Sequence, residues 1–275
     1  MTKTRTQTLL ALTALFSVVA SAGNSIEDTH SFRLGVYSQD TDIQAVSTID
    51  PFPPIEIDLT DDLGMDDNSE SIYASYRWRF GEKWSLSTTF ERLELDGKGF
   101  ASKDFNFDGK EFTAGAAVST EYTMDTYLID VGYSLIRTDT WEVVVGFGIH
   151  AFDIETVIEG RLEIDGGGDD NIVEGARASA DFLAPLPNLR AGVTYMLTPQ
   201  WELNAGIGWL SLEIDNIDGN YTYGEIGTEY RITDRFGIGA TYQLSKIDVT
   251  VDESDGFDAV DIEFSGPSIY LSYGF

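Results

Sequence analysis

The sequence predicts an all-β fold, a closed antiparallel transmembrane β-barrel of about ten strands. Three observations carry this expectation. Apolar residues recur at every second position in segment after segment, short turns alternate with long connections, and the chain ends on an alternating strand whose last residue is Phe275. Beyond the N-terminal 22 residues no run of ~18 apolar residues occurs, so strands, not helices, must cross any bilayer.

Composition narrows the function classes. The 275 residues carry a formal charge of −30, with 17 Lys plus Arg against 47 Asp plus Glu. Phosphate binding needs a basic patch, so nucleic acid is not an expected partner. The absence of Cys excludes disulfides, thiolate chemistry, Cys-ligated zinc and a lipidated Cys. Only His30 and His150 are available for a His metal cluster, and no cofactor is expected. Aromatic residues are too many and too evenly spread for long disorder.

The elements follow in chain order. Residues 1–22 read as a secretory signal: Lys3 and Arg5 are the positive start, Leu9 to Ala20 the apolar stretch, and Ala20-Ser21-Ala22 the small-residue cleavage site. Residues 23–275 are then the barrel domain. Strands are expected near 30–38, 70–80, 84–95, 122–136, 141–155, 186–197, 201–214, 220–232, 235–250 and 260–275. In the fifth, Trp141, Val143, Val145, Phe147 and Ile149 share one face, against Glu142, Val144, Gly146, Gly148 and His150. A bulky apolar face opposed by Gly and paired charges suits lipid outside and a narrow bore within, where backbones approach closely. The first strand is the least distinct, and eight strands is the alternative. Two phase slips are expected, one after Phe90, where Leu93 and Leu95 break the pattern, and one at Gly266-Pro267, read as a bulge.

Short turns near 81–83, 137–140, 198–200 and 233–234 are each followed by an aromatic: Trp84, Trp141, Trp201 and Phe236. Each turn is also preceded by a tyrosine, so the set predicts an aromatic girdle at one membrane interface. Single-chain barrels keep short turns on the periplasmic side and long loops outside, which places the girdle in the periplasmic leaflet. The longer connections, near 39–69, 96–121, 156–185, 215–219 and 251–259, are the expected external loops.

Phase places a lumen charge network at Arg33, Arg77, Arg79, Asp130, Glu142, Arg190, Glu202, Glu225, Glu229, Arg231 and Arg235. Charges of both signs in a narrow bore predict an ionic plug, and a solute-selecting constriction is the other reading. Gln39 to Glu70 holds ten acids and no Lys or Arg. Asp61, Asp62, Asp66 and Asp67 are weak Ca²⁺ or Mg²⁺ candidates without EF-hand spacing, and divalent cations could bridge this rim to lipopolysaccharide. Asp165-Gly-Gly-Gly-Asp-Asp170 is an acidic loop tip that lacks the Lys of a phosphate cradle. His150 has no Ser on its own face to act as a nucleophile.

Ile269, Leu271, Tyr273 and Phe275 form a closing strand that resembles the terminal strand of Gram-negative outer-membrane proteins, where it is read by the barrel-assembly machinery. With the signal and the hairpin series, the whole mature chain resembles the small Gram-negative outer-membrane β-barrel proteins of the OmpA-like and OmpW-like type. Within them it looks closest to an uncharacterised subgroup sharing segments like Ile57–Asp66, Ala184–Pro187 and Gly266–Leu271. The resemblance implies the cell outer membrane, its lipid and lipopolysaccharide as surroundings, and no substrate. Ten-stranded omptin-like proteases carry an Asp-x-His pair opposite an Asp pair. Here the match is Asp28-Thr-His30, on the expected periplasmic side and so on the wrong face. The expected function is a non-enzymatic outer-membrane barrel with a structural or surface-interaction role and acidic external loops. The alternative is a narrow porin-like channel for small or cationic solutes.

Overall fold

A bilayer core offers no water to the backbone, so each spanning strand needs two neighbours and the sheet must close on itself. The computed structural model describes residues 24–49, 55–58, 60, 62, 64–102, 104–107, 110–164, 172–214, 216–253 and 256–275. The signal segment and the 165–170 loop tip lie outside them. The strands are β1 (His30–Ile49), β2 (Ile55–Asp58), β3 (Asn68–Arg79), β4 (Trp84–Phe100), β5 (Phe105–Phe107), β6 (Lys110–Phe112), β7 (Ala117–Arg137), β8 (Trp141–Ile164), β9 (Ile172–Thr198), β10 (Trp201–Ile214), β11 (Ile217–Arg231), β12 (Phe236–Glu253) and β13 (Gly256–Gly274). Ten of them, β1, β3, β4 and β7 to β13, form one antiparallel sheet in chain order. β13 pairs back onto β1, with Phe32 opposite Tyr273 and Ile43 opposite Ile262, so the barrel is closed. Ten strands replace the eight-stranded alternative. β2 lies on the loop end of β1, and β5 with β6 makes a separate small hairpin.

The outward face is apolar across a band. Leu34, Ile72, Phe147, Ile207, Ile269 and Leu271 are each at least 60% exposed, an exposure that acyl chains, not water, must cover. Toward the loop end the outward positions turn ionic. Arg92 grips Asp125 through two hydrogen bonds of 2.6 Å, and Lys246 Nζ lies 2.7 Å from Asp261 and 3.0 Å from Glu263. Such charges are expensive beside lipid tails, so they mark the polar border of the band.

Two expectations are corrected by the strand register. β13 keeps one phase throughout: Ile262, Phe264, Gly266, Ser268, Tyr270 and Ser272 all face inward and are buried. There is no bulge at Gly266-Pro267. The pairing with β12 runs through them, and pairing with β1 resumes unshifted at Asp40 opposite Ser265. Gly266 is needed because an added Cβ would strike the Ser38 carbonyl. Likewise Leu93 and Leu95 keep the inward phase of Glu91. A one-residue slip would turn every later side chain to the other face, and none occurs at either of these places.

What changes is the lining. Toward the loop end the interior becomes apolar, with Ile43, Leu93, Leu95, Tyr122, Met124, Phe152, Ile247, Ile262 and Phe264 in one cluster. Met65 and Phe112 join this cluster from the loop-end segments outside the ten barrel strands. The expected long loops are therefore largely strand: β1 runs to Ile49, β4 to Phe100 with β7 from Ala117, β8 to Ile164 with β9 from Ile172, and β12 to Glu253 with β13 from Gly256. These extensions pair above the membrane band because they enclose a core of their own.

One seam is short. β9 pairs with β10 only from Thr198 to Leu189, while β8 accompanies β9 as far as Ile172. Pro185 and Pro187 sit just beyond that limit, and with no N–H they cannot carry a ladder onward.

Candidate functional site in the lumen

The lumen is layered, and strand phase builds each layer. At the turn end, Arg79 on β3 meets Glu142 on β8 in a two-pronged ion pair of 2.7 and 2.9 Å, while Ser134 Oγ donates to the same carboxylate at 2.6 Å. Both partners are buried. Beside them, Arg33 Nη2 donates to Glu229 Oε2 at 3.1 Å and to Glu202 Oε1 at 3.3 Å. Arg231 Nε and Ser272 Oγ donate to Glu229 Oε1 at 3.0 and 2.6 Å. In a low-dielectric bore, charges are tolerated when each oxygen and N–H is satisfied this way.

Residues 24–28, which precede β1, close this end. Ser25 Oγ donates to Glu202, and Asp28 accepts from Arg231. The Ser25 carbonyl accepts from Arg77 at 3.1 Å and the Ile26 carbonyl from Arg137 at 3.0 Å. Ile26 is almost wholly buried. Burial pushes the Asp28 carboxyl up from its ordinary range, with Arg231 pulling the other way.

Asp130 and Arg190 form a separate middle group. Their charged atoms are 3.9 Å apart, and His150 Nε2 lies 3.8 Å from Asp130 and 2.9 Å from Asn188 Nδ2. Glu225 has no ion-pair partner among the described residues. Arg235 departs from its expected place: it lies in the 232–235 turn, exposed, and only its carbonyl meets the network, accepting from Arg231. It was misplaced because β12 begins one residue later than the alternation suggests.

Sequence reasoning missed Gln39, Ser71 and Glu91. Ser71 Oγ accepts from Gln39 at 2.7 Å and donates to Glu91 Oε1 at 3.1 Å, and Gln39 also donates to that oxygen. Gln39 lies in the first expected long loop, and Glu91 lies at the expected phase slip after Phe90. Continuing the period-two pattern through both points would have found them. Between the ionic layer and the apolar cluster lies a cavity of about 310 Å³, onto which Glu91, Asp130 and Tyr221 all open.

The aromatic residues are arranged differently from the expectation of one pair per turn. Trp84, Trp141, Trp201 and Phe236 are the first residues of β4, β8, β10 and β12, and all face outward. Each pairs not with the tyrosine before its own turn but with one on the far side, in the loop-connected neighbour. Ring centroids are 4.9 Å apart for Trp84–Tyr133, 4.4 Å for Trp141–Tyr195, 6.4 Å for Trp201–Tyr230 and 4.8 Å for Phe236–Tyr273. Phe32–Tyr76, at 4.7 Å, does the same for β1 and β3. At this level the seams are thus held alternately by a turn and by an aromatic pair.

Phe275 completes the ring. Its N–H donates to the His30 carbonyl at 3.0 Å, its carbonyl accepts from Thr29 and His30, and its ring lies 5.0 Å from that of His30. Ile269, Leu271 and Tyr273 pair with Val36, Leu34 and Phe32 along the same seam.

Of the acidic candidates, Asp61 lies outside the described residues. Asp62 accepts from Ser102 Oγ and from the Asp58 N–H, and the Asp66 N–H donates to the Asp96 carbonyl. Among the described residues no group of three metal-ligating side chains is gathered.

No family model and no curated protein matches the chain. Among solved structures it is similar to the outer membrane protease OmpT from Escherichia coli, at 9% identity over 89% of this chain and 97% of that one, with a TM-score of 0.57. Weaker likenesses are Ail of Yersinia pestis, at 10% identity, coverage of 89% and 99% and a TM-score of 0.31, and OprG from Pseudomonas aeruginosa, at 12%, 92% and 98%, and 0.35. At such identities the likeness speaks for the fold alone. The closed sheet, the apolar outer band and this shared fold make the chain a ten-stranded β-barrel of the outer-membrane type.

Proposed function

We propose that the protein is a non-enzymatic integral outer-membrane barrel whose bore is shut at the periplasmic, turn end, and whose role is structural or lies in its acidic outer surface. The observation that carries this reading is the filled turn end, where Arg79–Glu142, Arg33 with Glu202 and Glu229, and the 24–28 segment occupy the lumen together. Ion pairs packed across a narrow bore narrow the path open to water and solutes. The histidines support a non-enzymatic role. His150 is fully buried, against the Tyr221 and Tyr223 rings, and His30 is held by Tyr76 OH at 2.8 Å beside Phe275. Among the described residues, neither is hydrogen-bonded to a Ser or Thr hydroxyl.

Planar-bilayer recording of the folded protein tests the reading. The expected record has no large stable steps, and porin-like conductance would overturn it. A narrow channel for small or cationic solutes is the second reading, favoured by the cavity above the ionic layer. Liposome swelling with small solutes separates the two.

A further inference from the structure

We propose that the lumen cavity is a binding site for a small organic cation, an ammonium carrying an apolar group. The site is independent of whether the bore conducts, since it lies above the ionic layer.

The cavity, about 310 Å³, matches the volume of a small ligand. Its walls include Tyr37, Tyr221, Tyr223 and Phe152. Tyr221 packs against Phe152 and Tyr223 at centroid distances of 5.4 and 5.6 Å, so the rings form a continuous aromatic surface. The carboxylates opening here are short of positive charge. Glu91 receives hydrogen bonds only from neutral groups, Gln39 and Ser71, both on Oε1, and has no cation at ion-pair distance among the described residues. Asp130 is 4% exposed, and its Oδ1 has no hydrogen-bond partner.

Of the guanidinium groups that line the cavity, all but Arg190 are committed elsewhere. Arg33 and Arg79 hold the turn-end carboxylates, and Arg77 donates to the Ser25 carbonyl. Arg190 alone approaches Asp130, at 3.9 Å. A carboxylate without a cation, set among aromatic faces, is chemistry that selects an organic cation: the charge meets the carboxylate and ring faces, and the apolar group meets the cluster of Met124, Phe152 and Phe264. The lumen already contains one such contact, Arg33 lying 4.8 Å over the Tyr270 ring. A chain of net charge −30 also concentrates cations around itself.

Calorimetric titration of the full folded protein in detergent, with benzyltrimethylammonium as the probe, tests the assignment. Saturable binding is expected, weakened by roughly tenfold or more in Glu91→Gln and in Tyr221→Leu, the scale of losing one charge-assisted or cation–π contact. Glu263→Gln, on the outer face, is expected to leave binding unchanged. Heat-modifiable gel mobility reports that each variant is folded. Three results would overturn the proposal: no saturable binding to the folded protein, equal binding by Glu91→Gln, or equal binding of neutral tert-butylbenzene. Channel recording is read separately, so a conducting barrel that binds the probe refutes only the closed-bore reading.

Discussion

At the scale of single residues, the interior glycines show how close the fit is. Gly208 faces Tyr223 across the β10–β11 pair, and Gly239 and Gly35 flank Tyr270 on its two neighbouring strands. A Cβ at Gly208 or Gly239 would run into that tyrosine's ring, and one at Gly35 would strike the Tyr73 ring and the Ile269 carbonyl. The glycines are beds for tyrosines lying flat on the barrel wall, a more specific role than general curvature. The Arg79–Glu142 pair is the residue-scale test of the ionic layer. Glu142→Gln leaves a buried guanidinium without its counter-charge, which costs roughly 3–5 kcal/mol where a buried pair is broken. Urea unfolding in lipid vesicles, followed by gel mobility, should show a loss of that size. A change indistinguishable from zero would mean that water already screens the pair.

Between neighbouring strands, the unit of organisation is the seam. For every barrel strand but β1 and β13, a turn ties one side at the turn end and an outward aromatic pair ties the other. Trp141 with Tyr195 has the closest rings, at 4.4 Å. A double-mutant cycle on Trp141→Ala and Tyr195→Ala should give a coupling of about 1 kcal/mol, beyond the effect of lost area. Additive single losses would reduce the pairs to separate interfacial anchors. These pairings were half legible in the sequence. The aromatics and their turns could be read directly, but the choice of partner depends on which strands lie side by side. The apolar loop-end interior is legible in the sequence only as breaks of phase, because a rule that puts every apolar residue of a barrel strand against lipid has no place for Ile262, Phe264, Leu93 and Leu95 inside. Apolar residues in a strand belong either to lipid or to a dry core, and alternation alone does not say which.

For the whole molecule, the feature that matters most is that residues 24–28 enter the turn end of the bore. Replacing residues 24–28 with a Gly-Ser stretch removes the Ser25–Glu202 and Asp28–Arg231 contacts and the buried Ile26. Conductance in planar bilayers is expected to rise several-fold over the unaltered protein, in small cation-preferring steps. An unchanged record would assign the seal to the ion pairs alone. The net charge of −30 contributes solubility and repulsion between copies, the ordinary consequence of excess charge of one sign.

The period-two pattern by itself determined the all-β class, the ten strands, the positions of the short turns and the closing strand at Phe275. These are local properties, since the side a residue faces follows from counting along one strand. Only the tertiary structure decided that residues 24–28 enter the bore, that aromatic pairs join separate hairpins, and that Glu91, Gln39 and Ser71 meet below an apolar cap. Each of those depends on distant segments being brought together when β13 closes on β1, and no count along the chain contains that distance.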